Sequence, residues 1–234
     1  MAVHGLVAEL AAQARRERVA DAAFTAVGGA EAVRRIKAGE EVDVVVLASA
    51  AVDGLVDGRF LLASSRRAVA DSAMGVAVPA NAPPPQLNTE AELRQAVLLS
   101  PALGYSTGPS GEALLALLHR WGIYELLAER LVQAPPGMPV ARLLAQGRAD
   151  LGFQQLSELS GVDRVHVVGP MPPGCEVVTT FVGAVTSSAA RAPERLTGAV
   201  ALLEFLASPE TSDVKERHGL RAPASAPEPA EQHR

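Results

Sequence analysis

Cysteine is almost absent from this 234-residue chain. Cys175 stands alone, so the chain can form no internal disulfide and no thiolate cage for zinc. Aromatic side chains are nearly as scarce, at 3% with one tryptophan and two tyrosines, which leaves little flat surface for stacking bases or sugar rings. Positive charge is not in excess: 21 lysines and arginines face 26 acidic residues, for a formal charge of −5. The cations are dispersed, so nucleic acid is not expected as a partner. No apolar run approaches the roughly 18 residues of a membrane span, and the chain reads as not membrane-spanning. His119, His166, His218 and His233 lie far apart and no HExxH spacing occurs, so no metal is expected. The glycine-rich phosphate fingerprint is not met, no serine nucleophile elbow is recognised, and no cofactor is expected.

What is present is helix–strand alternation. Leu6, Val7, Leu10, Ala11 and Ala14 recur at helical spacing, followed by Arg15, Arg16 and Arg18 where cations suit the helix dipole. Residues 19–27 predict a strand, Gly28-Gly29 opens a helix over 31–38, and Gly39 closes it. The apolar run 42–48 predicts a strand of a parallel sheet covered on both faces. Two long extended segments, 68–79 and 176–185, bracket the middle of the chain and read as paired crossovers between two lobes. Between them Thr89 and Glu92 form a capping-box pattern for a helix ending near Ser100. A short strand at 103–106 then leads through the turn 107–111 into a helix at 112–121. A helix at 140–146 precedes a strand at 150–153, and 165–169 is a further strand. Helices at 194–206 and 209–218 follow. Residues 222–234, rich in alanine, proline and charge, predict a disordered tail.

Four phrases in this order carry a resemblance. They are Ile36-Lys37-Ala38-Gly39-Glu40-Glu41-Val42-Asp43-Val44-Val45-Val46, Gly104-Tyr105-Ser106-Thr107-Gly108-Pro109-Ser110-Gly111, Gly152-Phe153-Gln154-Gln155-Leu156-Ser157-Glu158 and Val168-Gly169-Pro170-Met171-Pro172. Together they resemble the molybdate-binding-like branch of the type II periplasmic solute-binding proteins, a branch that includes aconitate-isomerase-like members. The resemblance implies an α/β fold of two lobes around a ligand cleft, with residues 1–75 and 186–221 in one lobe and 76–185 in the other. It also implies a periplasmic setting and an ABC-transporter permease as partner. Members of that family carry an export signal and a first strand ahead of the first helix. Here Met1 stands directly before that helix, so the sequence is expected to begin late, or the protein to be cytoplasmic if Met1 is its true start. Molybdate binders present a serine pair and a tyrosine to the oxyanion, whereas this chain has Gly28-Gly29 and Phe153-Gln154 in those regions. Molybdate is therefore the lesser alternative as ligand.

A small organic anion, a di- or tricarboxylate, is the expected ligand. Thr107, Ser110 and Gly111 open a helix whose N–H groups and positive dipole end favour an anion. Gly28 and Gly29 permit close backbone approach at a second helix start. Ser64, Ser65 and Arg66 offer hydroxyls and a guanidinium fork for a carboxylate. Gln154 and Gln155 follow a strand end, where α/β folds place ligand contacts. If the protein is instead an isomerase of an unsaturated tricarboxylate, His4 and Glu158 are the candidates for moving the proton.

Overall fold

A computed structural model describes residues 2–223. In chain order its elements are α1 (His4–Arg16), α2 (Gly29–Lys37), β1 (Val44–Ala48), α3 (Ser49–Asp57), β2 (Arg67–Pro79), α4 (Glu90–Leu99), β3 (Leu103–Tyr105), α5 (Pro109–Arg120), α6 (Tyr124–Leu127), β4 (Leu131–Gln133), α7 (Val140–Ala145), β5 (Leu151–Gln155), α8 (Leu156–Leu159), β6 (Val165–Pro170), β7 (Val178–Val185), α9 (Pro193–Ala207) and α10 (Ser212–Arg217).

β2 joins two half-sheets because it changes partner midway. Its first half pairs with β7, from Arg67↔Gly183 to Ala73↔Val178, and β7 pairs in turn with β1. From Met74 onward it pairs with β5 on one edge, and from Gly75 with β6 on the other. β5 then continues to β3 and β4 through parallel ladders. The chain returns along a third path, since Asp71 exchanges both backbone hydrogen bonds with Arg221. Met74 accepts from Met171 and donates to Val177. Backbone groups of residues three apart in a strand point to opposite edges. The Arg221 segment therefore lies along the edge that β5 occupies further on. The result is an α/β fold of two lobes around a cleft, with the crossing at residues 73 and 74 of β2.

Each lobe buries its own core. On one side Met74, Val76 and Phe153 of the sheet pack with Leu93 of α4 and Leu114 and Leu118 of α5. On the other, Leu6, Val7 and Leu10 of α1 meet Phe181, Leu206 and Val214. The opposite face of that half-sheet sets Val45 and Leu47 against Ile36 of α2 and Val52 and Leu55 of α3. α1 carries its apolar stripe where the spacing placed it, with Arg15 and Arg16 in its last turn. Thr89 and Glu92 form the reciprocal capping box: Glu92 N–H donates to Thr89 Oγ1 at 3.2 Å and Thr89 N–H to Glu92 Oε2 at 3.1 Å.

Several sequence expectations are corrected. Residues 19–27 form no strand, because a strand needs a ladder partner and no described strand lies beside them. β1 is no central strand of a parallel sheet: it runs antiparallel to β7 at the end of the sheet, and its residues alternate between buried and half-buried. α3, α6, α8 and β4 were not anticipated. β7 pairs with β1 and with the first half of β2. Of the predicted tail, residues 224–234 lie outside the described residues.

Candidate functional site

The carboxyl ends of three strands converge on the crossing. β3 and β5 run parallel, Tyr105 beside Phe153, and end at Tyr105 and Gln155. Gln155 pairs with Met74, immediately past the change of partner in β2. In the other lobe β1 ends at Ala48, opposite Phe181 near the start of β7, and α3 begins at the next residue. α/β sheets hold ligands outside the carboxyl ends of their strands. The starts of α3 and α5 therefore face a common boundary from opposite sides.

At the start of α5 the chain is tightly organised. Ser106 and Ser110 share a buried hydroxyl–hydroxyl hydrogen bond of 2.9 Å, and Gly108 N–H donates to Ser106 Oγ at 3.2 Å. Thr107 is exposed at the rim. Gly111 is required by packing: a Cβ there would lie 1.9 Å from the carbonyl oxygen of Ser106. Residues Gly104 to Gly108 do spell G-x-S-x-G at a strand-to-helix turn, so a motif expected to be absent is present. An elbow serine sits in strained backbone, however, and Ser106 is not among the described residues with positive φ. Its hydroxyl is buried against that of Ser110 and Gly108 N–H, and no histidine is among these hydrogen-bond partners.

The two adjacent glutamines point to different faces. Gln154 Oε1 accepts from Val140 N–H at 2.6 Å, satisfying the first turn of α7. Gln155 Nε2 donates to Thr179 Oγ1 at 2.8 Å, tying the end of β5 to the start of β7 across the crossing. Ser72 pairs directly with Thr179 in the β2–β7 ladder. Gln155 Oε1, Ser72 Oγ and Ser157 Oγ are buried without a hydrogen-bond partner. Ser72 and Thr179 were missed because nothing in their local sequence distinguishes them. Only the register brings them beside Gln155.

Arg66, Ser49 and Asp53 cluster at the start of α3. Arg66 Nη2 lies 2.5 Å from Asp53 Oδ1 and 3.4 Å from Ser49 Oγ. The contact to Oδ1 has the distance of an ion pair but lacks hydrogen-bond geometry, and that oxygen is buried without a hydrogen-bond partner. Ser64 is exposed, while Ser65 is structural: its hydroxyl donates to Leu62 O at 2.7 Å and accepts from Val185 N–H at 2.9 Å. Gly28 and Gly29 open α2 with nothing within 4 Å of an added Cβ, so neither is there for packing. His4 is exposed, its ring centroid 5.8 Å from that of Phe24.

Glu158, on α8, is half-buried. Burial raises its pKa above the ordinary 4.5, while a hydrogen bond with Gln154 pulls the other way. Its position follows directly from that of Ser157, whose backbone lies 3.8 Å from a Cβ built on Gly219. An open hollow of about 570 Å³ between residues 84–88 and 166–173 shares none of these residues. Among the described residues no cluster of three or more His, Cys, Asp or Glu side chains could hold a metal ion. No helix among them is long and apolar enough to cross a membrane.

This geometry defines a two-lobed α/β protein with a cleft between its lobes, and comparison places it further. The family model described as bacterial extracellular solute-binding protein matches residues 1–221, and the chain belongs to that family. An aconitate isomerase from Pseudomonas sp. is 31% identical over 193 residues, covering 82% of this chain and 72% of that protein. The periplasmic molybdate-binding protein of Azotobacter vinelandii superposes with a TM-score of 0.75 at 20% identity, covering 95% of this chain and 96% of that one. L-phospholactate-bound PEB3, a Campylobacter jejuni protein, gives 0.68 at 14% identity, covering 94% and 95%. Likeness of this degree to the solved structures establishes the shared fold.

Proposed function

We propose that the chain captures a small organic anion with two or three carboxylates in the cleft and delivers it to an ABC-type permease. We place one lobe at residues 2–73 and 178–221 and the other at 74–177, which moves the sequence-based boundaries to the points where β2 and β7 change surroundings. What supports the reading is that β3 and β1, from opposite lobes, each lead into a helix start at their carboxyl end: α5 with Thr107 and Ser110, and α3 with Arg66 beside it. Two seats suit a molecule with carboxylates at both ends better than a compact oxyanion such as molybdate. Thermal melting tests it. Citrate or aconitate at a hundredfold excess over Kd should add about 2.7 kcal/mol of stability, Arg66→Ala should lose that gain, and molybdate and sulfate should give less. Stabilisation by molybdate alone would overturn the reading.

A second reading, isomerisation of an unsaturated tricarboxylate, draws on the aconitate isomerase relative and on Glu158, whose raised pKa keeps its proton nearer neutrality than that of an ordinary carboxylic acid. Incubation with cis-aconitate, followed by proton NMR, should then yield the trans isomer, and Glu158→Gln should bind without converting. Binding with no conversion by the unaltered chain eliminates this second reading.

A further inference from the structure

Ser72, Gln155 and Thr179 share one face of the sheet. Ser72 and Met74 are two apart in β2 and therefore point the same way, Ser72 is directly opposite Thr179, and Met74 is directly opposite Gln155. Ser72 is 0% and Gln155 3% exposed. The amide of Gln155 spends its Nε2 on Thr179, which leaves Oε1 an acceptor with nothing to accept, and Ser72 Oγ has no partner at all. Buried polar groups in folded chains are almost always satisfied. Two such groups on one face, at the carboxyl end of β5, are placed to meet one hydrogen-bonding group together.

The chemistry of that group follows from what surrounds it. A carboxylate only accepts hydrogen bonds and would oppose Gln155 Oε1. An alcohol donates to one oxygen and accepts from the other. We infer that Ser72, Gln155 and Thr179 form the floor of the ligand seat and take an uncharged hydroxyl of the ligand, so that hydroxy acids are preferred over acids that differ only in lacking it. This rests on the cleft reading above, with the ligand's carboxylates at the helix starts and its hydroxyl between them.

Isothermal titration of the full chain with matched pairs tests the inference: citrate against propane-1,2,3-tricarboxylate, and malate against succinate. The hydroxylated member should bind at least about tenfold more tightly, because the other member leaves buried partners unpaired. In Ser72→Ala and Gln155→Leu that ratio should fall towards one while the unsubstituted acid still binds, with circular dichroism melts confirming that the variants are folded. A ratio near one in the unaltered chain, with both acids binding, overturns the inference and leaves the cleft reading in place, the orphans then holding only water. A preference that survives both substitutions also overturns it. If neither member of either pair binds the unaltered chain, the cleft reading itself fails and the inference falls with it.

Discussion

Gly111→Ala is a substitution whose sign depends entirely on the packing of α5 against β3. In an open helix, alanine in place of glycine stabilises by about 1 kcal/mol. At Gly111 the added Cβ would lie 1.9 Å from Ser106 O and 2.8 Å from Ser106 C, and both are backbone atoms. They cannot yield, because β3 is held by ladders to β4 on one side and β5 on the other. The helix start must therefore lift by roughly 1 Å, stretching the 2.9 Å bond between Ser106 and Ser110. Overpacking of this kind costs about 1–3 kcal/mol, sometimes more. After subtracting the propensity gain, a net loss of about 1 kcal/mol is expected. With a urea slope of about 2–3 kcal/mol/M, the unfolding midpoint should drop by roughly 0.3–0.5 M. Gly198→Ala is the control: that glycine is exposed within α9, with nothing within 4 Å of the new methyl, and its midpoint should rise by a few tenths of a molar unit. Two midpoints moving in the same direction would refute the argument that α5 is seated by this contact.

Two buried ionisable groups make opposite pH predictions. Glu158 has a raised folded-state pKa because burial disfavours its charge, so its contribution to stability is full below its ordinary 4.5 and is lost as pH rises through the folded value. Glu158→Gln should accordingly melt higher than the unaltered chain at pH 8 and converge with it near pH 4; a gap independent of pH in calorimetry would count against burial as the cause. Lys215 is 0% exposed, donates only to Ser208 O at 3.2 Å among its recorded bonds, and has its pKa lowered by burial. For a depressed amine the contribution is present above the ordinary 10.5 and is lost as pH falls. Lys215→Met should melt higher at pH 7, with the advantage shrinking as pH approaches 10.5, and the reverse trend would contradict it.

Much of the fold was legible because local rules and long-range structure agreed. The stripe from Leu6 to Ala14 is buried as a face of α1, the Thr89–Glu92 pattern is a capping box, and the two long extended segments are the strands β2 and β7. Where expectation failed, partners decided. Residues 19–27 have strand composition but no ladder, and a continuous apolar run at 44–48 looks the same whether it pairs parallel inside a sheet or antiparallel at its end. α3 follows β1 without a breaker and is built from small residues, so its period was weak. At the site, the start of α5 was readable from Gly108, Ser110 and Gly111. The separation of Gln154 from Gln155 follows from strand alternation, but which of them faces the crossing depends on register. Ser72 and Thr179 lie far apart in sequence and meet only through the β2–β7 ladder, and the pairing of Arg66 with Asp53 requires α3, which was not foreseen.

One ligand held between the lobes at the crossing of β2 should shield both lobes at once. Hydrogen–deuterium exchange read by mass spectrometry, with and without saturating citrate or aconitate, tests it most directly. Amide protection should rise together at residues 49–53 and 107–111, from opposite lobes, and along 154–158 at the crossing. Protection confined to one lobe, or centred on the hollow between 84–88 and 166–173, would contradict it.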